Sequence, residues 1–479
     1  MTNIDVDVAI IGAGTAGMSA YRSAREHTDS VVLIEGDRYG TTCARVGCMP
    51  SKLLIAAADA AHEARHTDLF GIESGPIRVD GKAVMRRVRA ERDRFVGFVI
   101  EAVEGWPEAH RLFGHARFLS DHRLVVGDDH VVNAKRIVIA TGSSPVVPPA
   151  WQTLGERVIV NDDVFDWDDL PWSVVVFGGG VIGLELAQAL HRLGVRVRLF
   201  GRGGGVGPIT DPEVRAKAKA VFAAEYPFDP DANVTDVARD GDAVVVTFRG
   251  PDGNERVEHF DYLLAATGRR PNVAGLNLEA TSLPLDAKGI PLFDRRTARV
   301  GNSHVFIAGD VNAEVPLLHE AADEGRIAGD NAGRFPDVRV RPRRTPLSVV
   351  FSEPQLAMAG HSFSELESSG ADFAMGAVSF DDQGRARVIG RNAGLLRVYG
   401  DRTTGKLLGA EMVGPSAEHL GHLLAWSVEA ERTVQQLIDS PFYHPVVEEG
   451  LRTALRDLNR NLAMGPVPVE RCLDCGPGG

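Results

Sequence analysis

Two segments of this chain constrain its fold more than any other feature, because each follows the order strand, glycine-rich turn, helix, strand. The first starts with the apolar run "VDVAII", passes through "GAGTAG" into an alanine-rich stretch, and ends with "SVVLIEG". The second starts with "SVVVFGGG" and ends with "VRVRLFG" at residue 201. Two such βαβ units predict an α/β protein built on parallel, Rossmann-like sheets.

The first glycine turn has the spacing that brings a pyrophosphate to a helix N-terminus. Gly12, Gly14 and Gly17 allow, in that order, a tight turn, close approach of the phosphates, and packing of the helix on the strand. Free N–H groups at the start of the helix favour the anion. Glu35 ends the second strand, where its carboxylate can accept hydrogen bonds from an adenosine ribose.

The second glycine turn, formed by Gly178, Gly180 and Gly183, is not followed by an acid. Gly201 stands where the acid is expected, and Arg202 comes next. A ribose 2′-hydroxyl would find no carboxylate there, whereas a 2′-phosphate would find a guanidinium, so we predict a slight preference for NADPH over NADH. The alternative is that Arg202 is a solvated residue of the flexible loop "GRGGGVG".

Length, charge and the N-terminus limit the class of protein. At ~150 residues per domain, 479 residues predict about three domains. A net charge of -13 argues against nucleic acid or an anionic membrane as the main partner. The N-terminus shows no export signal, and no apolar run reaches the ~20 residues of a membrane span. We therefore expect a cytoplasmic protein, in which a disulfide is more often catalytic than structural.

The four cysteines form two close pairs, Cys43 with Cys48 and Cys472 with Cys475. The first pair, in "GTTCARVGCMPSK", lacks the spacing of zinc ligands, so a redox disulfide fits better than a metal site or spectator thiols. Residues five apart in an ideal helix have Cα atoms roughly 8.7 Å apart, whereas a disulfide allows at most ~7 Å. We therefore predict a distorted helix and ascribe the distortion to Pro50, which cannot donate to the helical ladder.

Together these motifs resemble the FAD-dependent pyridine nucleotide–disulfide oxidoreductases, and the overall pattern is similar to that of dihydrolipoamide dehydrogenase. The resemblance extends from about residue 5 to residue 460. Besides the two turns and the cysteine segment, the segments that carry it are "VIATGS", "AATGRRPN", "VFIAGD" with "LLHEAADEG", and "FYHPVVEEGL".

The resemblance implies FAD at the first turn and the nicotinamide nucleotide at the second. Glu35 would bind the adenosine ribose and Asp310 the ribityl–pyrophosphate portion. Lys52 would approach flavin N5 and pair with Glu185. The remaining implied cofactor contacts are Thr141, Gly142 and Gly268.

The resemblance also assigns roles around the cysteine pair. Cys48 would lie near the flavin, and Cys43 would face the substrate. His444 would be the acid–base and Glu449 would fix its tautomer, and the histidine cation would favour the Cys43 thiolate. In the family this dyad comes from the partner subunit, so a homodimer with a shared active site is implied.

The expected function is transfer of two electrons between NAD(P)(H) and a disulfide or dithiol, with dihydrolipoamide or a lipoyl-bearing protein as the expected substrate. Another possibility is an NADPH-driven reductase of a different disulfide or of a soft metal ion. A redox-silent flavoprotein scaffold is the alternative of another class. Thr41 stands where the family often has Gly, and Ala44 and Arg45 where it often has Leu-Asn, so the substrate stays open.

The expected domains are an FAD-binding domain at 1–150 and 270–345, an NAD(P)-binding domain at 151–269, an α+β dimerisation domain at 346–462, and a flexible tail at 463–479. The hairpin "LLRVYGDRTTGKLLGAEMVG" belongs to the third domain. The basic stretch "VRVRPRRTP" before it could bind an acidic partner, but we expect a solvated joint. The C-x2-C of the tail is either an incidental pair of thiols or a second dithiol that carries electrons from Cys43 to a bulky substrate or captures a soft metal.

Overall fold

The computed structural model describes residues 1–464, so the prediction for Cys472 and Cys475 lies outside the described residues. The chain forms two compact units, each made of three segments. The first unit contains Met1–Leu53, Arg86–Val146 and Gly268–Arg343. The second contains Leu54–Met85, Val147–Thr267 and the described residues from Arg344 to Met464.

The strands, in chain order, are β1 Thr2–Ile11, β2 Val31–Glu35, β3 Arg111–Phe113, β4 Ala116–Ser120, β5 Arg123–Val126, β6 His130–Ile139, β7 Ser143–Pro145, β8 Val158–Ile159, β9 Ser173–Phe177, β10 Arg196–Phe200, β11 Phe228–Asp229, β12 Asn233–Asp240, β13 Ala243–Arg249, β14 Glu255–Phe260, β15 Tyr262–Ala265, β16 Arg269–Pro271, β17 Val305–Ile307, β18 Leu347–Val350, β19 Gln355–Gly360, β20 Phe373–Ser379, β21 Leu395–Asp401 and β22 Leu407–Gly414.

The α-helices are α1 Thr15–Ala24, α2 Thr42–Val46, α3 Cys48–Arg65, α4 Gly81–Glu104, α5 Asn161–Val164, α6 Val181–Arg192, α7 Pro212–Glu225, α8 Leu318–Arg334, α9 Phe363–Ser369, α10 Gly384–Val388, α11 Ala417–Glu429, α12 Val434–Ile438 and α13 Glu448–Leu462. Within residues 1–464, none of these helices is both long enough and apolar enough to cross a membrane.

The first unit is built on a sheet with the order β3-β2-β1-β6-β5-β4, in which β17 also pairs with β6. The neighbours β3, β2, β1, β6 and β17 are parallel, and β5 and β4 continue the sheet antiparallel. Parallel strands end at one common edge, so the segments that follow β1, β2, β6 and β17 meet there. The predicted first βαβ unit is confirmed.

Close packing of α8 on α1 covers one face of this sheet. A Cβ atom added to Gly325 would lie 2.2 Å from the carbonyl oxygen of Ala16, and one added to Gly329 would lie 2.2 Å from that of Ala20. No side chain fits at these two positions without moving the backbone. The two glycines therefore set how closely α8 approaches the helix that follows the first glycine turn.

The second unit contains a five-stranded parallel sheet with the order β11-β10-β9-β15-β8. Its core includes Val175, Phe200 and Leu263, which are each at most 1% exposed. The second predicted βαβ unit is thus β9, α6 and β10. An antiparallel three-stranded sheet, β12-β13-β14, packs its β13 residues into the same core.

The C-terminal part of the second unit is an antiparallel sheet with the order β18-β19-β22-β21-β20. The predicted hairpin is β21 and β22, which pair antiparallel from Leu395 with Val413 to Gly400 with Leu407. Helices α11 and α13 bury their apolar faces against this sheet in one core that contains Leu420 and Leu455. The α+β character predicted for this region is confirmed.

The basic stretch before β18 is not a simple solvated joint, which corrects our expectation. Arg341 lies 2.8 Å from the carboxylate of Asp330, and Arg343 pairs with Glu320 and also, at 3.1 Å, with Glu324. All three acids lie on α8 and are at least 90% buried. The arginines are therefore needed to compensate buried carboxylates.

Candidate active site and nucleotide sites

The first glycine turn follows β1 and is shaped for a close ligand. Gly12 has φ +103°, and an added Cβ there would lie 2.4 Å from the carbonyl oxygen of Ala140. A Cβ on Gly17 would lie 1.8 Å from the carbonyl oxygen of Gly12, so the helix rests directly on the turn. A Cβ on Gly14 would meet no atom within 4 Å. The open side of the turn is thus at Gly14, the position that should face phosphates.

Glu35 lies where the sequence predicted it, at the end of β2 beside this turn. Its Oε2 atom accepts a hydrogen bond of 2.9 Å from the N–H of Ala13, and its Oε1 atom accepts one of 3.0 Å from the N–H of Asp37. The carboxylate is therefore held at the edge of the turn with lone pairs left for ribose hydroxyls.

Residues after β6, β16 and β17 gather at the same edge of the sheet. Ser143 donates a hydrogen bond of 2.8 Å to Asp310, and Arg269 donates one of 2.8 Å to Ser143. Thr141 exchanges two hydrogen bonds with Asn272, one of 2.8 Å from its hydroxyl and one of 2.9 Å to its carbonyl. This network fixes the Asp310 carboxylate. Gly142 and Gly268 have positive φ, and a Cβ added to either would meet no atom within 4 Å.

The second glycine turn repeats the geometry of the first. Gly178 has φ +123°, with an added Cβ 2.1 Å from the carbonyl oxygen of Ala266, and a Cβ on Gly183 would lie 1.8 Å from the carbonyl oxygen of Gly178. A Cβ added to Gly180, like one added to Gly14, would meet no atom within 4 Å. The two turns therefore offer the same kind of phosphate cradle, one in each unit.

The absence of an acidic residue at position 201, directly after β10, has a steric cause. A Cβ on Gly201 would lie 2.6 Å from the carbonyl oxygen of Pro230, so no side chain fits there without a backbone shift. Arg202 follows and is exposed. The next residue, Gly203, is held by a 2.8 Å hydrogen bond from its N–H to the carboxylate of Asp231.

Cys43 and Cys48 lie on two helices, not on one distorted helix. α2 ends at Val46, Gly47 breaks the helix with φ −125° and ψ −117°, and α3 begins at Cys48. A Cβ on Gly47 would lie 3.1 Å from the carbonyl oxygen of Thr42. The predicted departure from a regular helix between the cysteines is confirmed, but it is a complete break, and its assignment to Pro50 is wrong. Pro50 lies in the first turn of α3, where its missing N–H breaks no ladder.

Thr41 caps the helix that carries Cys43. It has φ 53° and ψ 150°, a conformation that β-branched residues rarely adopt. Its hydroxyl accepts a hydrogen bond of 3.2 Å from the N–H of Ala44. The hydroxyl thus compensates in part for a backbone conformation that suits the glycine often found here in the resembling family.

The His444–Glu449 pair forms as the sequence predicted. Nδ1 of His444 lies 3.0 Å from Oε1 and 3.1 Å from Oε2 of Glu449. Glu449 also accepts hydrogen bonds from the N–H of Val446 and from Arg452, so its carboxylate is fixed. The His444 side chain is 80% exposed, whereas that of Glu449 is 8% exposed. With Nδ1 occupied, the free Nε2 atom is available to a substrate.

Lys52 and Glu185 lie in different units. Lys52 follows Cys48 by one turn of α3, and its Nζ atom lies 3.4 Å from the hydroxyl oxygen of Ser51. Glu185, on α6, is 4% exposed, and its Oε1 atom accepts a hydrogen bond of 2.9 Å from the N–H of Phe351. Pairing of Lys52 with Glu185 stays a prediction.

Comparison with known proteins decides the family. The profile of the pyridine nucleotide-disulphide oxidoreductases matches residues 6–325, and the profile of the dimerisation domain of these enzymes matches residues 347–455. The chain belongs to this family. The predicted class, an FAD-dependent oxidoreductase of pyridine nucleotides and disulfides, is therefore confirmed.

Relatives with two different named activities are similar to this oxidoreductase along most of its length. A mercuric reductase of Streptomyces lividans is 31% identical over 476 residues, covering 95% of this chain and 97% of the relative. A dihydrolipoyl dehydrogenase of Halobacterium salinarum is 30% identical over 462 residues, covering 94% of this chain and 95% of the relative. Among solved structures, LpdA of Mycobacterium tuberculosis is 26% identical with a TM-score of 0.80, covering 94% of this chain and 99% of that one.

The family match also bears on assembly. The dimerisation domain in the C-terminal region supports a homodimer.

The pKa of the Cys43 thiol in this oxidoreductase is raised, first because it hydrogen-bonds Cys48 and second because it is partly buried. The positive charge of Lys52 opposes this shift only weakly. Both cysteines are free thiols in the structure, with Cys43 half-buried and Cys48 exposed. Both effects disfavour the Cys43 thiolate, so a proton acceptor near Cys43 would help to form it.

Sequence reasoning missed several residues of the sites. Gly47 breaks the helix between the cysteines, and its place between them was a readable signal. Ser143 and Arg269, which hold Asp310, lie in the segments "VIATGS" and "AATGRRPN" that carry the resemblance, but neither was singled out as a site residue. The closure of Gly201 by Pro230 depends on a contact between two strand ends and could not be read from the sequence.

Proposed function

We propose that this oxidoreductase passes two electrons from NADPH through FAD to a disulfide substrate, using Cys43 and Cys48 as the exchanging dithiol. The observation that carries the proposal is the contact between the Cys43 and Cys48 thiols, which lie on either side of the helix break at Gly47. Two thiols in hydrogen-bond contact can close to a disulfide with little movement. In the reductive direction the pair begins as two thiols and ends as one disulfide.

The first chemical step is attack of Cys43. Its thiolate attacks one sulfur of the substrate disulfide, forming a mixed disulfide and releasing the other substrate sulfur as a thiolate. Cys48 then attacks Cys43, which releases the second substrate thiolate and leaves the Cys43–Cys48 disulfide. Two electrons and two protons have then passed from the protein dithiol to the substrate. The proposed roles, Cys43 as interchange thiol and Cys48 as resolving thiol, follow the family.

His444 of the partner subunit is proposed to move the protons of this exchange. Because Glu449 occupies Nδ1, the exposed Nε2 atom can take the proton of Cys43 and give it to the leaving substrate thiolate. The imidazolium formed in between is stabilised by the buried Glu449 carboxylate. The partner's His444 would thus supply the proton acceptor that the raised pKa of the Cys43 thiol calls for.

FAD would be held by the first unit. Gly12, Gly14 and Gly17 fit the pyrophosphate, Glu35 the adenosine ribose, and Asp310 the ribityl portion. When bound there, FAD supplies hydride acceptance from the nicotinamide and two-electron transfer to the cysteine pair. Thr141, Gly142 and Gly268 line the same sheet edge. Lys52, with Glu185 as its proposed partner, would stand beside the cofactor.

The preference for NADPH is supported by the geometry after β10. Pro230 closes the position of Gly201, so a carboxylate for the ribose 2′-hydroxyl is sterically excluded there. Arg202 is exposed at the start of the loop and supplies a cation for a 2′-phosphate. The carboxylate of Asp231 is engaged by the N–H of Gly203. The exposure of Arg202 fits both this proposal and the solvated-loop alternative, and comparison of NADPH with NADH separates the two.

Dihydrolipoamide, free or on a lipoyl-bearing protein, is the proposed substrate pair, and the cytoplasm the proposed compartment. The support is the likeness to dihydrolipoyl dehydrogenases along 94% of the chain. A second candidate is NADPH-dependent reduction of a soft metal ion such as Hg(II), supported by the 31% identity to a mercuric reductase. A redox-silent scaffold is opposed by the preserved pairs Cys43–Cys48 and His444–Glu449.

The test is a panel of lipoamide, glutathione disulfide, thioredoxin and Hg(II), each assayed with NADH and NADPH. We expect turnover of lipoamide with a higher kcat/KM for NADPH than for NADH. Fast turnover of Hg(II) alone would support the second candidate. A hundredfold preference for NADH would contradict the role of Arg202, and no turnover with any acceptor would contradict the proposed function.

A further inference from the structure

Glu411, on β22, has a set of contacts that its place in the C-terminal sheet does not explain. Its side chain is 0% exposed. Its two oxygens accept hydrogen bonds from the N–H of Thr210 at 2.6 Å, the hydroxyl of Thr210 at 2.5 Å, the N–H of Asp211 at 2.9 Å and the N–H of Phe363 at 2.8 Å. Three of the four donors belong to one two-residue segment, about 200 residues earlier in the chain.

Asp211 extends this anchor to α7. It is also 0% exposed, and its Oδ1 atom caps α7 by accepting from the N–H groups of Glu213 at 2.9 Å and Val214 at 3.2 Å. Arg397 and the hydroxyl of Tyr399, both on β21, each donate to it at 3.1 Å. The segment between β10 and α7 is therefore fixed at its C-terminal end to the sheet of β21 and β22.

The other side of this segment rests on the second glycine turn. The N–H of Gly207 donates a hydrogen bond of 2.7 Å to the carbonyl of Gly179, and a Cβ on Gly179 would lie 2.9 Å from the carbonyl oxygen of Gly205. Gly207 also packs against β19, since an added Cβ there would lie 2.8 Å from Leu356 Cδ1. The loop 201–209 thus lies between the phosphate turn and the C-terminal sheet.

This loop needs an external anchor because of its composition. Five of its nine residues are glycine, and Gly203, Gly204 and Gly207 have positive φ. Glycine loses the most conformational freedom on ordering, so such a loop has a weak intrinsic preference for one shape. A fully buried carboxylate is costly unless it is well paired, and here its hydrogen bonds fix the loop rather than the sheet that carries it.

We propose that Glu411 is a positioning residue for the pyridine nucleotide site. It acts through Thr210 and Asp211, which hold the loop 201–209 against the second glycine turn and so keep Arg202 beside that turn. The inference rests on the proposed function, in which this turn binds the nicotinamide nucleotide. The ligand that the loop 201–209 would help to bind is an adenosine diphosphate that carries a 2′-phosphate.

The test replaces Glu411 with Gln, which keeps the shape but turns one acceptor oxygen into a donor facing N–H groups. Dissociation constants of NADP⁺ and of 2′,5′-ADP are measured by calorimetry on the oxidised holoenzyme. We expect both to rise about 10–100-fold, as for the loss of hydrogen bonds to a charged group. The FAD content and the long-wavelength absorbance of the dithiol-reduced enzyme should stay as in the wild type.

Asp381→Asn is the matched control. Asp381 bonds Lys217 of α7 at 2.8 Å, so it also joins α7 to the C-terminal region, but through an exposed pair. We expect Asp381→Asn to leave both dissociation constants within about twofold of the wild type, as for most exposed ion pairs. Equal weakening in Asp381→Asn and Glu411→Gln would overturn the proposal, because general docking of α7 would then be the cause. Wild-type affinity in Glu411→Gln would overturn it as well.

Two further variants, Thr210→Val and Gly180→Leu, separate the role of Glu411 from the proposed function. If Glu411→Gln does not give a folded holoenzyme, Thr210→Val removes the hydroxyl that donates to Glu411 and accepts from the N–H of Ser364, while the backbone hydrogen bonds of Thr210 and Asp211 to Glu411 stay. An unchanged affinity for 2′,5′-ADP in that variant overturns the proposal. Gly180→Leu tests the proposed function itself, since a side chain there fills the open side of the turn. Wild-type NADP⁺ affinity in Gly180→Leu would overturn both. Loss of affinity in Gly180→Leu alone, with Thr210→Val and Glu411→Gln unaffected, would overturn only the role of Glu411.

Discussion

Nδ1 of the exposed His444 lies 3.0 Å from the carboxylate of the buried Glu449. This contact assigns the Nδ1–H tautomer and leaves Nε2 free to carry a proton between the interchange thiol and the substrate. The carboxylate cannot turn away, because the N–H of Val446 and the guanidinium of Arg452 hold it as well.

Replacing His444 with Gln should slow thiol–disulfide exchange by ~10²–10⁴, the range for a lost general acid–base. Reduction of the flavin by NADPH should change little, because the nucleotide site uses other residues. Stopped-flow measurement of the two half-reactions separates these effects, with the exposed His361→Gln as control. Equal slowing of both half-reactions would indicate a folding or dimer defect and contradict the assigned role.

Cys43→Ser and Cys48→Ser should each abolish disulfide turnover while FAD stays bound, because the residues proposed to hold FAD are different ones. Cys43→Ser should keep a long-wavelength absorbance on reduction, since Cys48 remains as the proposed thiol beside the flavin. Absorbance spectra and lipoamide assays of the purified variants check both points. Wild-type turnover in either single variant would exclude the dithiol mechanism.

The backbone conformation of Thr41 predicts the relative stabilities of the Ser and Val variants at this position. Thr41→Ser keeps the hydroxyl cap and removes the β-branch at φ 53°, so it should be at least as stable as the wild type. Thr41→Val keeps the branch and loses the cap, which should cost about 1 kcal/mol. Urea unfolding of the holoenzymes measures the order. A Val variant as stable as the Ser variant would show that the hydroxyl contributes nothing.

His62, on α3, predicts a loss of stability in mild acid. Burial, followed by the charge of Arg192, lowers its folded-state pKa from 6.5 to about 4, while Glu225 opposes the shift. The unfolded chain therefore binds a proton at His62 that the folded chain does not, between about pH 6.5 and 4. Stability should fall as the pH drops through this window and should not fall further below it on account of this group.

Thermal melts of the wild type and His62→Asn across that window provide the test. The Asn variant should lose less melting temperature between pH 6.5 and 4 than the wild type, whereas His419→Asn, at an exposed position, should follow the wild type. Parallel profiles for the wild type and His62→Asn would contradict the assignment.

Local patterns in the sequence were enough to predict the elements that form the two glycine turns. Gly12 and Gly14 lie between β1 and α1, and Gly17 lies in the first turn of α1, so their spacing could be read from the local sequence, although the atom closest to a Cβ added at Gly12 belongs to the distant Ala140. The same holds for Glu35, which ends the strand after the first turn. The His444–Glu449 pair was implied by the resemblance of "FYHPVVEEGL" to the family, and its two residues lie five apart in the chain.

Features set by distant contacts could not be predicted. Glu411 and Thr210 are brought together by the packing of α7 on the C-terminal sheet, and neither residue stands out in its own segment. We expected Arg341 and Arg343 to be solvated, because the sequence does not show that their acidic partners on α8 face them. The reason for the absent acid at Gly201 is the carbonyl of Pro230, which only the fold places there.

The measurement that tests the central claim most directly is alkylation of the cysteines before and after anaerobic reduction with NADPH. The enzyme is quenched in denaturant with an alkylating reagent, and the peptides that contain Cys43 and Cys48 are analysed by mass spectrometry. We predict that both cysteines are blocked as a disulfide in the oxidised enzyme and both alkylated after NADPH is added. Consumption of NADPH with Cys43 and Cys48 still blocked would contradict the account.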